Sequence, residues 1–253
     1  MYRLALSIAC ILLFLSTSFA QDSTDEELPP PSHSAAKFGG AIGFAPSFLN
    51  MDLNSMNEVL RNANSAELSD GPMFMTGGQV YGYILFVQNL RGGIMWGSGS
   101  KSSLVTANGI TRDVGLHIGF TGATIEYVIP LHSRLDISIG TMIGVGGMDL
   151  TMRRDNNTQT RQWIDLWNEF GTKDSASEFT RQLTGTFFMY EPMANVEYAA
   201  LRWLGLRVGV GYLGMSGNSW KLDDKYDVLN VPTAINGKGF SINAGVFIGT
   251  FIF

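Results

Sequence analysis

From residue 37 onward, apolar residues alternate with small or polar ones at a period of two, the pattern of strands with two distinct faces. In LDISIGTMIGV, Leu135, Ile137, Ile139, Thr141, Ile143 and Val145 share one face, against Asp136, Ser138, Gly140, Met142 and Gly144. Leu204, Leu206, Val208, Val210 and Tyr212 alternate with Gly205, Arg207, Gly209 and Gly211, and Phe240, Ile242, Ala244, Val246 and Ile248 with Ser241, Asn243 and Gly245. The first run sets Phe38, Ile42, Phe44 and Phe48 against Gly39, Ala41, Gly43 and Ser47. Eight such strands are predicted, at about 36–49, 72–87, 91–104, 110–129, 134–151, 181–199, 203–217 and 237–253. The pattern assigns neither face of 72–87 or 91–104. Run 110–129 changes phase near Gly122, where a β-bulge is expected.

The connections decide between a soluble and a membrane barrel. Those around Gln88–Leu90, Pro130–Ser133 and Ala200–Arg202 are short, whereas 50–71, 152–180 and 218–236 are long and 105–109, with Asn108-Gly109, is modest. Short turns at one end and long loops at the other characterise outer-membrane barrels, and an even strand number puts both termini at the short-turn, periplasmic end. Most predicted strands exceed the roughly 9–11 residues that cross the hydrocarbon layer, so they should project beyond it. Phe38, Phe86, Tyr127, Tyr198, Trp203 and Phe253 gather near the periplasmic end, where aromatic rings favour the membrane interface. A soluble barrel would carry Lys and Glu on its outer faces; the second face here is Gly, Ala, Ser and Asn. No later segment is apolar for 18 residues, so no membrane helix is expected after the leader.

The first twenty residues have one early charge at Arg3, an apolar core from Leu4 to Leu15 and small residues Ser18 and Ala20, so 1–20 reads as a secretory signal peptide. Cys10, the only cysteine, would leave with it, so no disulfide or cysteine metal site is expected in the mature chain. Residues 21–35 are acidic and carry prolines without an apolar period, as a flexible periplasmic tether would. Composition agrees with a membrane location for 36–253. Charged residues are 15%, against about 25% in ordinary soluble domains. The 17 Lys+Arg against 22 Asp+Glu leave no basic excess for nucleic acid.

With these features the chain resembles the small eight-stranded outer-membrane barrels, the OmpA transmembrane-domain, OmpX and OmpW type. The likeness covers 36–253 and is one of architecture. It implies an all-β, antiparallel up-and-down transmembrane barrel with short helices in its long loops. The ending AGVFIGTFIF looks like the terminal strand of such proteins, which implies that Phe253 serves as a signal to the barrel-assembly machinery. Lipid and lipopolysaccharide are the implied surroundings.

An eight-stranded barrel is just wide enough to be filled by its own side chains. By parity Glu126, Asp136, Glu191, Asn195, Glu197, Arg207 and His117 point inward, where a charge must be paired or hydrated. Glu197 and Arg207, across a short turn, are the expected pair. These groups form either a polar plug or a narrow gated pathway. His33, His117 and His132 lie in no long outer loop, and no Ser/His/acid spacing stands out, so neither enzyme activity nor a cofactor is expected.

Recognition is assigned to loops 50–71, 152–180 and 218–236. Ser55-Met56-Asn57-Glu58 fits a capping box, with Met56, Val59, Leu60 and Ala63 at helical spacing. Trp163, Leu166, Trp167 and Phe170 form one helical stripe. These short helices either cap the barrel mouth, rest at the headgroups or bind an extracellular ligand. Asp223, Asp224 and Asp227 read as a solvated acidic turn rather than an ion site, and Asn156-Asn157-Thr158 as a weak glycosylation match. The expected function is structural or interactive, with a narrow conduit for small or apolar solutes as the alternative.

Overall fold

The computed structural model describes residues 39–84, 86–155, 179–232 and 235–251. The expected signal peptide and tether, the Trp163/Leu166/Trp167/Phe170 stripe, Asn156-Asn157-Thr158 and Phe253 lie outside the described residues. The strands are β1 (Gly40–Phe44), β2 (Ser47–Met51), β3 (Met73–Tyr83), β4 (Leu90–Ala107), β5 (Ile110–His132), β6 (Leu135–Asp155), β7 (Phe179–Leu201), β8 (Leu204–Leu222), β9 (Tyr226–Asp227) and β10 (Gly239–Gly249). One helix, α1 (Asn54–Asn62), follows β2.

Every pairing is antiparallel between successive strands, and β10 closes the ring by pairing with β8 on one side and with β1 and β2 on the other. β1 and β2 are two halves of one strand. Pro46, which has no N–H to give the ladder, interrupts it without changing its register, and its carbonyl accepts from Ala244 N at 3.2 Å. The ring therefore has eight strands, with the two-residue β9 added to the tip of β8. Connections at the lower end are short (84–89, Ser133-Arg134, Arg202-Trp203). The modest upper connection contracts to Asn108-Gly109, both at positive φ (53° and 74°), which is the two-residue hairpin turn that matches strand twist.

Burial alternates along most of the strand length, but the chemistry of the two faces exchanges half-way up. In the lower half the outside is apolar: Ile125, Tyr127 and Ile129 on β5; Ile137, Ile139, Ile143 and Val145 on β6; Phe188, Tyr190, Val196 and Tyr198 on β7. Phe240, Ile242, Val246 and Ile248 continue it on β10. On β6, β7 and β10 this band runs through nine to eleven residues (137–145, 188–198, 240–248), the length that spans hydrocarbon at a tilt, about 9–11. In the same half the inner face gathers the buried polar residues Gln79, Arg91, Thr124, Glu126, Asp136, Ser138, Asn195, Glu197 and Arg207, beside Tyr81, Val128, Met193 and Phe247. In the upper half the inside is apolar. Leu49, Met51, Met73, Met75, Leu116, Ile118, Met148, Leu150, Phe187, Met189, Leu213 and Met215 form one buried cluster. The outside there carries Ser98, Ser100, Ser102, Asp113, His117, Asp149, Thr151 and Arg153. The lower half is dissolved in lipid around a polar centre; the upper half stands in water around an apolar one.

This exchange corrects two expectations. The register of β5 against β4 and β6 is unbroken through Gly122, so there is no bulge there. Leu116, Ile118 and Phe120 lie on the inner face throughout, and the apparent change of phase is a change of surroundings. His117 consequently points outward, opposite Ser100 and Asp149, and is no part of the lumen. Register shifts lie instead beside the lower turns, at Pro130/His132 and Ala199/Leu201, and in β8, where the pairing shifts between Thr186 and Phe188 beside Gly217 (φ 134°). That extra residue turns Trp220 inward, against Phe187 with ring centroids 5.7 Å apart and planes at 83°.

α1 closes the upper mouth. Met56 and Leu60 on its inner face, together with Leu53 and Leu68 beside it, join the apolar cluster. Asn57 is buried and satisfied by the main chain of Leu68, donating to its carbonyl (3.0 Å) and accepting from its N–H (2.9 Å). The capping box is not formed. The helix starts one residue before Ser55, with Leu53 at the cap and no side-chain cap hydrogen bond, and Asp52 Oδ1 accepts from Asn54 N at 3.0 Å. The returning segment is tied to β4 through Lys101 Nζ, which donates to the carbonyls of Ser69 and Gly71, and Ser103 Oγ, which donates to Ala66 O at 2.8 Å. On the exposed side Arg61 donates to Glu67 at 2.8 Å, and this hydrogen bond holds the Glu67 carboxyl below the usual carboxylate range.

The exchange of faces makes one substitution type site-dependent. Ile139→Arg, in the middle of the apolar band, is expected to cost about 2–4 kcal/mol, and Thr151→Arg, outward on the same strand above it, about 0–1 kcal/mol. Denaturant unfolding of both variants from phospholipid vesicles measures the difference.

Candidate functional site

The lower lumen is filled by four charges that face one another. Arg91 at the start of β4, Glu126 near the end of β5, Glu197 on β7 and Arg207 on β8 are 1%, 1%, 4% and 2% exposed. Short turns set their register: Arg91 stands opposite Glu126, and Glu197 opposite Arg207. Arg91 holds Glu126 through Nη2 (2.6 Å) and Nε (3.1 Å) and reaches across the barrel with Nη1 to Glu197 at 3.3 Å. Arg207 grips Glu197 Oε2 with Nη2 (2.6 Å) and Nε (3.0 Å). The expected Arg207–Glu197 contact is thus one edge of a closed ring whose two cations and two anions balance.

Neutral groups complete it. Gln79 donates to Glu126 Oε1 at 2.5 Å and accepts from Arg207 Nη1 at 2.6 Å, so it bridges the two pairs. Ser138 accepts from Arg91 Nη2 (3.0 Å) and donates to Glu126 Oε2 (2.8 Å), while Asn195 donates to Ser138 at 3.3 Å. Tyr81 OH donates to Glu197 at 2.9 Å, and its ring lies under both guanidinium carbons, 4.2 Å from that of Arg91 and 4.8 Å from that of Arg207. Phe247 stacks under Arg207 at 4.5 Å and packs on Tyr81. Buried charges are tolerable only when every oxygen and N–H has a partner of this kind.

Asp136 is buried at the lower edge of the ring, across the ladder from Glu197. Glu191 sits higher, accepting from Ser241 Oγ. Room for these side chains comes from glycines on the facing strand. A Cβ at Gly209 would stand 1.9 Å from Asn195 Oδ1, and one at Gly211 would stand 2.5 Å from Glu191 Oε1. Between this layer and the apolar core lies a cavity of about 30 Å³, lined by Gln79, Glu191, Asn195, Arg207 and Asn243. It suits one or two water molecules.

Five members of the network escape the sequence reading: Gln79, Tyr81, Arg91, Ser138 and Phe247. The signal for Arg91 is a charge in a strand whose one other charge is Lys101, placed just after a short turn and opposite Glu126. The irregular alternation of the second and third strands hid it. Among the other candidates, His132 Nδ1 accepts from Ser133 N at 2.7 Å within a lower turn. Asp223 and Asp224 take positive φ (49° and 55°) in a tight upper turn, where Asp223 faces Arg181 at 3.5 Å.

No family model and no curated protein matches the chain. Solved structures are similar to it. Ail of Yersinia pestis, crystallised with the heparin analogue sucrose octasulfate, matches with 10% identity over 85% of this chain and 98% of its own, at a TM-score of 0.40. Neisserial surface protein A matches with 12% identity over 83% and 96%, at 0.41. The outer-membrane protease OmpT of Escherichia coli matches with 6% identity over 86% and 97%, at 0.34. At such scores the architecture rests on the closed ring and its apolar band, which are those of a small eight-stranded outer-membrane barrel.

Removing one cation unbalances the ring. Arg91→Met leaves Glu126 and Glu197 sharing one guanidinium and is expected to cost about 3–5 kcal/mol. Arg91→Met combined with Glu126→Gln should recover part of this, giving a coupling energy of at least about 0.5 kcal/mol in a double-mutant cycle measured by denaturant unfolding.

Proposed function

We propose that the protein is a closed, non-catalytic outer-membrane barrel that anchors and displays extracellular loops for contact with a ligand or partner. The observation that carries this reading is the double closure of the lumen. Among the described residues, a hydrogen-bonded four-charge layer fills the lower half and an apolar core capped by α1 fills the upper half, with a cavity of about 30 Å³ between them. A conduit would need both layers to move. With α1 and 52–72 folded over the mouth, the loops left for recognition are 156–178, which holds Trp163, Leu166, Trp167 and Phe170, and 223–238. In this reading residues 1–20 direct export, 21–35 tether the chain in the periplasm, and Phe253 is the assembly signal.

Planar-bilayer recording of the reconstituted chain tests it. A silent barrel is expected, whose deletion of 156–178 removes ligand binding without unfolding it. A steady conductance that Arg207→Ala or Glu197→Ala alters would establish the conduit instead.

A further inference from the structure

We propose that a groove on the outer wall of the barrel, crossing β1, β3, β4 and β5, holds one acyl chain of a membrane lipid. The groove has a volume of about 560 Å³. Its walls are the exposed rings of Phe44 and Trp96, and its floor is the main chain at Gly77 and Gly97. Gly78, between Phe44 and Trp96 in the ladder, is buried beneath the Trp96 ring, which lies against the main chain there. A Cβ there would stand 2.6 Å from the Gly43 carbonyl oxygen and 2.8 Å from Trp96 Cζ2. Glycines within a strand mark places where another group approaches the main chain closely. Gly77 and Gly97 also border the internal cavity, so the wall here is one backbone thick.

The position of the groove identifies its occupant. Phe44 and Trp96 belong to the apolar outer band, where the surrounding medium is hydrocarbon, so what fills the lower part is a lipid tail. The upper rim is polar. Thr76 and Ser98 point outward there, Thr76 Oγ1 donating to the Ser98 carbonyl at 3.3 Å, and His117 lies just above on the outer face. A chain lying against the two rings thus carries its ester and headgroup up to hydroxyls rather than into hydrocarbon. On β4 and β5 the groove straddles the level at which the outer face changes from apolar to polar, while on β3 the exposed Phe74 continues the apolar face above Thr76. Its volume falls within the roughly 300–1,000 Å³ of small-molecule sites.

Gly119 offers a way to fill the groove. It lines the rim, and a Cβ there meets only ordinary contacts, 3.7 Å from His117 Nε2 and 3.8 Å from Ser98 Cβ. Gly115, on the same face of the same strand, has open space around it and does not line the groove. The full chain, folded in detergent, would be titrated with dioleoyl phosphatidylcholine and its bound lipid counted by native mass spectrometry. Folding of each variant is checked by the difference in gel migration with and without boiling. The wild type is expected to retain one lipid, and Gly115→Leu to retain it equally. Gly119→Leu is expected to lose at least about tenfold in lipid affinity. Trp96→Ala, which removes a wall without adding volume, should also lose it, and decides the matter if Gly119→Leu does not fold. Retention by Gly119→Leu or Trp96→Ala at the wild-type level overturns the proposal, as does equal loss in Gly115→Leu or a wild type that retains none. The proposal rests on the membrane embedding of the lower half, which the gel shift tests independently of lipid retention.

Discussion

One chain passes through two solvents, and that change of medium sets the remainder of the structure. Below the level of Val145 and Phe188 the outside meets hydrocarbon, so apolar side chains turn outward and whatever polarity the sequence holds must turn inward. Above it the outside meets water and the ordinary rule for a soluble β protein returns, with apolar residues inside. Period-two geometry permits this without any break in the ladder, because the faces keep their direction while their chemistry exchanges. β5 and β6 run through both regimes over 23 and 21 residues.

Each regime then dictates its own interior. In the lower half the charges turn into the lumen, and an eight-stranded barrel is too narrow to leave them hydrated in bulk. Arg91, Glu126, Glu197 and Arg207 therefore satisfy one another, with Gln79 and Ser138 supplying the remaining bonds and Tyr81 and Phe247 covering the guanidinium faces. The apolar core is rich in methionine, eight of them buried in one cluster: Met51, Met56, Met73, Met75, Met148, Met189 and Met215 in the upper half and Met142 just below it. Unbranched and flexible, methionine fills an irregular space such as the one between a tapering ring of strands and the helix laid across its mouth. The two layers close the barrel for opposite physical reasons.

Much of this was legible in the sequence. Strand count, the closed antiparallel ring, the lipid face of β6, β8 and β10, and the inward placement of Glu126, Glu191, Asn195, Glu197 and Arg207 follow from alternation and turn spacing. What failed did so for three separate reasons. Reading every apolar face as a lipid face forced a bulge at Gly122 and turned His117 inward, whereas Leu116, Ile118 and Phe120 face a protein core above the bilayer. Arg91 was missed because β3 and β4 carry so many glycines that their alternation is faint, although its place after a short turn opposite Glu126 marks it. The capping box failed because the local preference of Ser55 and Glu58 was overruled by packing: Met56, Asn57 and Leu60 had to face the core.

The central claim is that a single strand changes solvent along its length, and site-specific thiol labelling measures this directly. Cys10 is the only cysteine in the sequence, so with Cys10→Ser single cysteines can be placed along the outer face of β6 at Ile139, Ile143, Asp149 and Thr151. The protein is then reconstituted in vesicles and exposed to a charged maleimide on both sides of the membrane. The account predicts rapid labelling at Asp149→Cys and Thr151→Cys and none at Ile139→Cys and Ile143→Cys before detergent is added. Equal labelling at all four positions would contradict it.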